Sequence, residues 1–237
     1  MIPKKIHYCW FGGKELPSDA LKYIEGWKKK CPDYEIILWN EDNFNINCND
    51  FVKKAYEKKA WAFVTDYARL KIIYENGGIY LDTDVELIRN LDDLLVNDAY
   101  FGIQQGMFNV ATGLGFGSIP KNSIIKKMMD VYETIEYREE EKEKFICPIL
   151  NTEVLKEYGF KYDGDNIIEL QEINTKIYPP EFFDPISVGG TKNLLTGKTY
   201  SIHHYNASWT SGWNKIKRKI FNFIGQDKIN FIKKFKL

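Results

Sequence analysis

The first segment of the chain has the hydrophobic pattern of a β-strand. Ile6, Tyr8 and Trp10 are each separated by one residue and are followed by the glycine pair 12–13. A period of two is the repeat of an extended strand, and paired glycines are typical of a turn. We therefore expect a first strand that ends in a glycine turn.

The next hydrophobic residues recur at the spacing of a helix. Ser18 is the expected N-cap, Leu21, Ile24 and Trp27 follow at about a helical period, and Pro32 closes the segment. A helix is predicted between Ser18 and Pro32.

The alternation of strand and helix continues after Pro32. The pattern predicts a strand over 34–39, helices over 50–59 and 62–75, a glycine-relieved helix end at 76–78 and a third strand over 79–81. This order with short connections predicts an α/β fold with a mainly parallel central sheet. Ligands of such sheets bind beyond the carboxyl ends of the strands, so the chemistry is expected there.

The rest of the chain is less regular. Residues 100–103 and 113–117 suit sheet or loop segments, and 120–144 is predicted to be one helix whose charge-rich end is a solvated face. In residues 214–237, seven lysines and Arg218 against Asp227 give a net charge of +7, with hydrophobic residues at helical spacing. We therefore divide the chain into a globular domain, 1–213, and a basic amphipathic helical tail, 214–237.

Composition and charge narrow the classes of function. The 237 residues are 44% hydrophobic and 28% charged, which suits a globular domain. The 33 basic and 33 acidic residues cancel, so there is no chain-wide positive field for a phosphate backbone. Nucleic acid is not an expected partner.

The cysteines and the apolar segments suggest a compartment. The four cysteines are scattered without a C-x-x-C pair, which favours a reduced, cytoplasmic interior. Neither an apolar signal region nor a run of about 18 apolar residues occurs in the sequence. The expected location is cytoplasmic.

Two carboxylates follow the third predicted strand. In an extended chain, Asp82 and Asp84 would point to the same side. Like charges held close together repel, and a divalent cation offsets that cost. Oxygen ligands favour Mg²⁺ or Mn²⁺, although a D-x-D sequence alone is also common in surface turns.

Other candidate residues are ambiguous when each is taken alone. Asp66 and Arg69 would share one helix face, either as an ordinary ion pair or as a binding pair. His203 and His204 would either complete a metal site, which would favour Mn²⁺, or lie in a strand with backbone partners. Trp10 would be either a core indole or a stacking surface near the glycine turn.

Together these motifs resemble glycosyltransferase family 32, whose members carry a sugar-binding region with a DXD motif. They also resemble, more distantly, the catalytic domain of the large bacterial glucosylating toxins. The similarity extends over residues 2–13, the pair Asp66 and Arg69, residues 77–84, and His203-His204 with Ser208-Trp209.

The resemblance implies a GT-A fold, a nucleotide-sugar donor, a Mn²⁺ or Mg²⁺ ion and transfer with retention of anomeric configuration. By the same resemblance Trp10 matches the aromatic residue that stacks on the nucleobase, and Trp209, next to Ser208, matches the tryptophan of a loop that closes over the donor. Asp66 matches the carboxylate that holds donor-sugar hydroxyls, and Arg69 the arginine near the sugar and diphosphate.

The resemblance also implies the metal ligands. Asp84 would bind the ion directly, and Asp82 would bind it or hold the ribose and a metal-bound water. The toxins use a glutamate and a serine where this chain offers His203, His204, Asn206 and Ser208; we favour His203, which follows a hydrophobic residue as in related histidine-ligand transferases.

The expected acceptor is a surface or capsular glycan, free or lipid-linked. Hydrophobic and lysine residues of the 214–237 tail would allow peripheral binding to an anionic membrane at the inner face of the plasma membrane, unless they pack on the domain. Alternative functions for the same carboxylates are a sugar-nucleotide hydrolase, a nucleotidyltransferase and a non-catalytic glycan-binding module.

Overall fold

Strands and helices alternate through the first third of the chain, as the hydrophobic pattern predicts. The computed structural model describes residues 1–186 and 192–206. Its first elements are β1 (Lys5–Cys9), α1 (Ser18–Lys30), β2 (Glu35–Trp39), α2 (Asp50–Glu57), α3 (Trp61–Asn76) and β3 (Gly78–Tyr80). The predicted order is confirmed.

In the rest of the chain, turns and 3-10 segments separate the helices and strands. They are β4 (Val85–Leu87), β5 (Ala99–Gly102), β6 (Phe116–Ser118), α4 (Ser123–Thr134), α5 (Cys147–Lys156), β7 (Ile168–Leu170), β8 (Thr175–Tyr178), α6 (Pro180–Phe183) and β9 (Ser201–His203). Within the described ranges no helix has the length and apolar character needed to cross a membrane.

The central sheet holds seven strands in the order β2-β1-β3-β6-β5-β8-β7. Parallel pairs join β1 to both β2 and β3 and join β5 to β8, whereas β6 and β7 pair antiparallel with their neighbours. Strands β1, β2, β3, β5 and β8 therefore run the same way, and the predicted mainly parallel sheet is confirmed. The carboxyl ends of β1 and β3 meet at one edge, where the candidate chemistry lies.

A second, two-stranded sheet lies beside this edge. Antiparallel strands β4 and β9 pair Val85 with His203 and Leu87 with Ser201. Helix α1 supports this small sheet, because the indole Nε1 of the fully buried Trp27 donates to the carbonyl of Val85 at 2.8 Å.

The helices cover both faces of the central sheet and create two hydrophobic clusters. One cluster joins α2, α3 and α4 to the sheet, and the other includes Ile24 and Trp27 of α1. Leu21, predicted on the buried stripe of α1, is 51% exposed, and Ala20 is buried instead. One face of α1 carries Ala20, Ile24 and Trp27, which are spaced four and three residues apart. Leu21 follows Ala20 directly and therefore points away from this face.

Two predicted helix ends differ from the structure. Pro17, rather than Ser18, occupies the N-cap position of α1, and Ser18 is the first helical residue. The helix predicted over 120–144 ends at Thr134, because Ile135 is extended and Tyr137 turns back to pack on Phe51 at 5.6 Å. The charged run continues as a 3-10 segment, Glu139–Phe145, whose charged residues lie largely in solvent as expected.

The helix predicted to end at residues 76–78 does end there. Gly77 and Gly78 have φ angles of 65° and 102°, and a Cβ atom on Gly78 would lie 2.9 Å from the carbonyl oxygen of Lys5. Only glycine adopts these angles without strain and allows the Lys5 carbonyl to come this close. The glycine pair therefore lets β3 begin immediately after α3 ends. Ser208, Trp209 and the basic tail 214–237 lie outside the described residues.

Candidate active site

Asp82 and Asp84 lie in a tight turn between β3 and β4. The N–H of Leu81 donates to the carbonyl of His7 at 3.0 Å and thereby extends the pairing of β3 with β1. The N–H of Val85 then donates to the carbonyl of Asp82 at 3.0 Å and closes the turn. The two carboxylates therefore converge through a turn, and not through the extended chain that the sequence pattern suggested.

His203 reaches the same turn from β9. Because β9 pairs Val85 with His203, the histidine lies beside Asp84. Its Nε2 atom is 3.1 Å from Oδ1 of Asp84 and 3.9 Å from Oδ2 of Asp82. One ligand atom from each of the three residues lies within 4.8 Å of the others.

The three side chains suit a divalent cation. Two carboxylate oxygens and one imidazole nitrogen are ligands that Mn²⁺ and Mg²⁺ accept, with the nitrogen favouring Mn²⁺. Burial opposes the charge of Asp84, but His203 and the backbone N–H of Asn206 outweigh it and lower its pKa to about 2. Asp84 is therefore ionised near neutral pH, as a metal ligand must be.

His203 is held among negative charges. Burial disfavours its charged form, but the carboxylates of Asp84, Asp82 and Asp184 outweigh burial and raise its pKa. A cation at this position would replace the proton as the positive charge between the carboxylates.

Asp66 and Arg69 form a buried pair on α3, one turn apart. Nη2 of Arg69 lies 3.0 Å from Oδ1 of Asp66 and 3.5 Å from Oδ1 of Asp82. The Arg69 side chain is only 6% exposed. The pair is therefore not an ordinary surface ion pair; it connects the helix to the D-x-D turn.

The surroundings of this pair fix its geometry. Nε of Arg69 donates to the carbonyl of Thr65 at 3.2 Å, and its guanidinium lies 5.1 Å from the centre of the Tyr80 ring. The Tyr80 hydroxyl donates to Oδ1 of Asp82 at 3.0 Å. Burial raises the pKa of Asp66 to about 6 although Arg69 opposes this shift.

The glycine-rich segment before β6 also lies against this site. A Cβ atom on Gly113 would be 2.6 Å from Oδ2 of Asp82 and 3.1 Å from Nη1 of Arg69. The neighbouring Thr112 is buried and its Oγ1 lies 3.0 Å from Sγ of Cys147. Gly113 is therefore required by close approach, and not by an unusual backbone angle.

The other predicted histidine lies apart from the carboxylates of the turn. Nε2 of His204 is 2.8 Å from Oε2 of Glu86, and its ring stacks on Tyr23 with a centroid distance of 4.8 Å. Its backbone N–H donates to the carbonyl of Asp84 at 3.0 Å. Adjacent residues of β9 face opposite sides, so only one of the two histidines faces the turn.

Trp10 follows the carboxyl end of β1, next to the strand that precedes Asp82. It is partly exposed, and its Nε1 donates to the carbonyl of Lys14. A Cβ atom on the following Gly12 would lie 2.8 Å from the ring of Trp61. The glycine turn therefore brings Trp61 close to the segment that carries Trp10.

Comparison with known proteins agrees with this geometry. Residues 17–101, which include Asp66, Arg69, Asp82 and Asp84, match the family described as glycosyltransferase sugar-binding region containing DXD motif. The part of the chain that carries these four residues is therefore similar to DXD-type glycosyltransferases. The resemblance stated from the sequence motifs is thereby confirmed.

Two relatives show how far the sequence similarity extends. The chain is 38% identical over 101 residues to "Uncharacterized glycosyltransferase L373" of Acanthamoeba polyphaga mimivirus, which is 40% of each protein. It is 34% identical over 137 residues to "Inositol phosphoceramide mannosyltransferase 3" of Schizosaccharomyces pombe, which is 48% of this chain and 35% of that protein. The matched region is thus well under two thirds of the length of either relative.

A solved structure has a fold similar to that of this chain. The structure described as PaToxG Glycosyltransferase is similar with a TM-score of 0.53 and 16% sequence identity, over 66% of this chain and 69% of that one. At this identity the likeness concerns the fold alone. The GT-A class implied by the sequence motifs is confirmed.

Several residues around the site were not foreseen from the sequence. Tyr80 and Gly113 lie against Asp82, Tyr205 lies against His203, and Asp184 bonds to Tyr205. Three glycines alternate over 113–117, but this local pattern does not show that Gly113 packs against Asp82. Asp184 follows two buried phenylalanines in α6 and has no sequence signal of its own.

Proposed function

We propose that this protein is a retaining, divalent-metal-dependent glycosyltransferase that transfers a sugar from a nucleotide-sugar donor to a glycan acceptor. The observation that carries the proposal is the convergence of Asp82, Asp84 and His203 beyond the carboxyl end of β3. The family match over residues 17–101 supports the same class of reaction.

The proposed ion is Mn²⁺ or Mg²⁺, with Mn²⁺ favoured by the imidazole ligand. Asp82, Asp84 and His203 would hold it, and His204 would not contact it because its Nε2 lies against Glu86. A bound cation supplies positive charge that stabilises the departing nucleoside diphosphate.

The donor would bind along the same edge of the sheet. Trp10 would stack on the nucleobase of the donor, and the proposed donor class is a UDP-sugar. Asp66 would accept hydroxyl hydrogens of the donor sugar, and Ser208 and Trp209 would cover the donor. Arg69 would keep Asp66 and Asp82 in place and add positive charge near the diphosphate.

The proposed stereochemistry is retention by attack on the same face of the sugar. Oδ1 of Asp66 lies 3.0 Å from Nη2 of Arg69. This ion pair makes the Asp66 carboxylate a poorer nucleophile. We therefore propose that the acceptor hydroxyl attacks as the sugar–phosphate bond breaks, and that the departing phosphate receives its proton. Trapping of a glycosyl-enzyme adduct would refute this route.

The proposed acceptor is a surface or capsular glycan carried on a lipid at the inner face of the plasma membrane. One relative is named for mannosyl transfer to inositol phosphoceramide, which supports a lipid-linked acceptor. The +7 charge of residues 214–237 supports attraction to anionic headgroups. Cosedimentation with vesicles of anionic and of neutral lipid tests this, and the full chain should bind the anionic vesicles more strongly than a chain lacking residues 215–237.

A screen of nucleotide sugars tests the reaction itself. Native protein, Asp84→Asn and the surface variant Asp33→Asn are incubated with each donor with and without Mn²⁺, and release of nucleoside diphosphate is measured. We expect metal-dependent release that falls at least about 100-fold in Asp84→Asn and is unchanged in Asp33→Asn.

The products separate the alternative functions. A glycosyltransferase gives a nucleoside diphosphate and a new glycoside whose anomeric configuration NMR determines. A sugar-nucleotide hydrolase gives the free sugar even when acceptor is present, and a nucleotidyltransferase acts on the diphosphate linkage. Binding of donor without any turnover would indicate a non-catalytic module.

A further inference from the structure

A third acidic residue lies behind the proposed metal ligands. Asp184 is fully buried, and its Oδ2 atom accepts two hydrogen bonds of 2.7 Å, from the backbone N–H of Gln105 and from the hydroxyl of Tyr205. Burial raises the pKa of Asp184 to about 6, so this carboxylate is held in an unfavourable environment. Because burial of an ionisable carboxylate costs free energy, we looked for a role of Asp184 among the residues that it contacts.

Tyr205 connects Asp184 to His203. The Tyr205 ring packs edge-on against the imidazole of His203, with a centroid distance of 4.1 Å and an interplanar angle of 83°. Because its hydroxyl is bonded to Asp184, the ring is fixed at both ends. The imidazole therefore rests against a side chain that cannot rotate away without losing a buried hydrogen bond.

The backbone conformation of Tyr205 is unfavourable and places the neighbouring N–H groups against Asp84. Tyr205 has a φ angle of 51°, in the left-handed region that side chains disfavour. The bend directs the N–H of the next residue, Asn206, to Oδ2 of Asp84 at 2.8 Å. On the other side of the bend, the N–H of His204 bonds to the carbonyl of Asp84 at 3.0 Å.

Two buried atoms on either side of Tyr205 have no hydrogen-bond partner among the described residues. They are Nδ1 of His203 and Oδ1 of Asp184. A histidine that binds metal through Nε2 commonly donates its Nδ1–H to a carboxylate, directly or through water, and this second bond orients the ring. Here one atom is a potential donor and the other an acceptor.

We propose that Asp184 is a positioning residue that acts, with Tyr205, to hold the imidazole of His203 and the N–H of Asn206 against Asp84. Oδ2 of Asp184 anchors Tyr205, and Oδ1 would accept the Nδ1–H of His203 through one bridging water molecule. The consequence for metal binding rests on the proposed function, whereas the positioning itself does not.

Hydrogen exchange of single amides tests the positioning without metal. Tyr205→Phe removes only the hydroxyl, Asp184→Asn removes the charge, and Tyr200→Phe is the matched control, since its hydroxyl lies 3.5 Å from the surface residue Asp93. We expect the amides of His204 and Asn206 to exchange at least about 10-fold faster in the first two variants, relative to the amides of β1. The control should match native protein at both amides.

Manganese affinity, measured by the EPR signal of free Mn²⁺, tests the consequence for the site. We expect a loss of about 10-fold to 100-fold in Tyr205→Phe and Asp184→Asn and less than a twofold change in Tyr200→Phe. A merely structural Asp184 would lower the melting temperature without a selective effect on these two readouts.

The two measurements separate this inference from the proposed function. Unchanged exchange of the His204 and Asn206 amides in both variants overturns the positioning role, whatever the manganese affinity. Faster exchange in a protein whose native form binds no Mn²⁺ supports the positioning role and contradicts the proposed metal site. Because Tyr205→Phe changes one oxygen atom only, it decides the question even if Asp184→Asn fails to fold.

Discussion

Nε2 of His203 lies 3.1 Å from Oδ1 of Asp84, although the two residues are far apart in the chain. The antiparallel pair of β4 and β9 creates this contact by placing Val85 opposite His203. An imidazole nitrogen from the last strand that the structure describes thereby lies beside the D-x-D turn. A shift of this pairing by one residue would turn His203 away from Asp84.

The two histidines are expected to differ in their effect on metal binding. His203→Ala removes a ligand atom, so Mn²⁺ affinity should fall by at least about 10-fold. Among the described residues, His204→Ala removes contacts with Glu86 and Tyr23, and it should leave the affinity within about twofold. Isothermal titration of both variants with MnCl₂ checks this, and an equal loss in both would contradict the assignment of His203.

Gly113→Ala should damage the site without damaging the fold. The added Cβ atom would lie 2.6 Å from Oδ2 of Asp82, so the carboxylate must move away from its partners. We expect a loss of Mn²⁺ affinity of about 10-fold or more. Titration with MnCl₂, together with a thermal melt, measures both effects.

Gly26→Ala is the matched control for this substitution. Gly26 lies inside α1 with nothing within 4 Å of an added Cβ atom, so alanine should stabilise the helix by about 0.5 to 1 kcal/mol and leave metal binding unchanged. If Gly113→Ala behaved like Gly26→Ala, the proposed close packing on Asp82 would be wrong.

Arg69→Met should destabilise the protein strongly. The substitution keeps an unbranched side chain but leaves the carboxylates of Asp66 and Asp82 without their buried counter-charge. The free energy of unfolding, measured with urea, should fall by about 3 to 5 kcal/mol.

A surface ion pair of similar sequence spacing provides the comparison. Arg89 and Asp93 are four residues apart in the sequence, and their side chains are 41% and 62% exposed. Because solvent screens such pairs, Arg89→Met should cost no more than about 1 kcal/mol. Equal costs for the two arginine variants would show that Arg69 does not hold the site together.

His7 should make stability fall in acid. Its Nε2 lies 3.0 Å from the carbonyl of Gly77 and its Nδ1 accepts from Nε1 of Trp39 at 3.0 Å, an arrangement that requires the neutral ring. Burial lowers its pKa from 6.5 to about 4. Between pH 6.5 and 4 the unfolded chain therefore binds more protons than the folded chain. The neutral His7 ring contributes about 3 kcal/mol to the free energy of unfolding above pH 6.5, and this contribution is lost as the pH falls to 4.

The contribution of His7 has to be separated from buried acids that titrate the other way. Burial raises the pKa of Asp82 and raises those of Asp66 and Asp184 to about 6, so protonation of these groups favours the folded state as the pH falls. Urea unfolding of native protein and His7→Gln at several pH values isolates His7 as a difference. A difference that does not change between pH 6.5 and 4 would contradict the prediction.

The sequence by itself determined the alternation of elements and the family. Local periodicity predicts α1, α3 and β1 because their hydrophobic spacing reports which face is buried. The D-x-D carboxylates are recognisable because they immediately follow a buried strand. The pair Asp66 and Arg69 is recognisable because a spacing of three residues places both on one face of a helix. These signals are local, so no long-range contact is needed to recognise them.

Only the tertiary structure decided which distant groups complete the site. The register of β4 with β9 selects His203 over His204, and the packing of Gly113 on Asp82 depends on a loop that reaches the turn from β6. Asp184 and Tyr205 join the site through α6 and a left-handed bend. Side-chain direction at a strand end and contact between segments distant in sequence depend on register and packing, which hydrophobic periodicity does not encode.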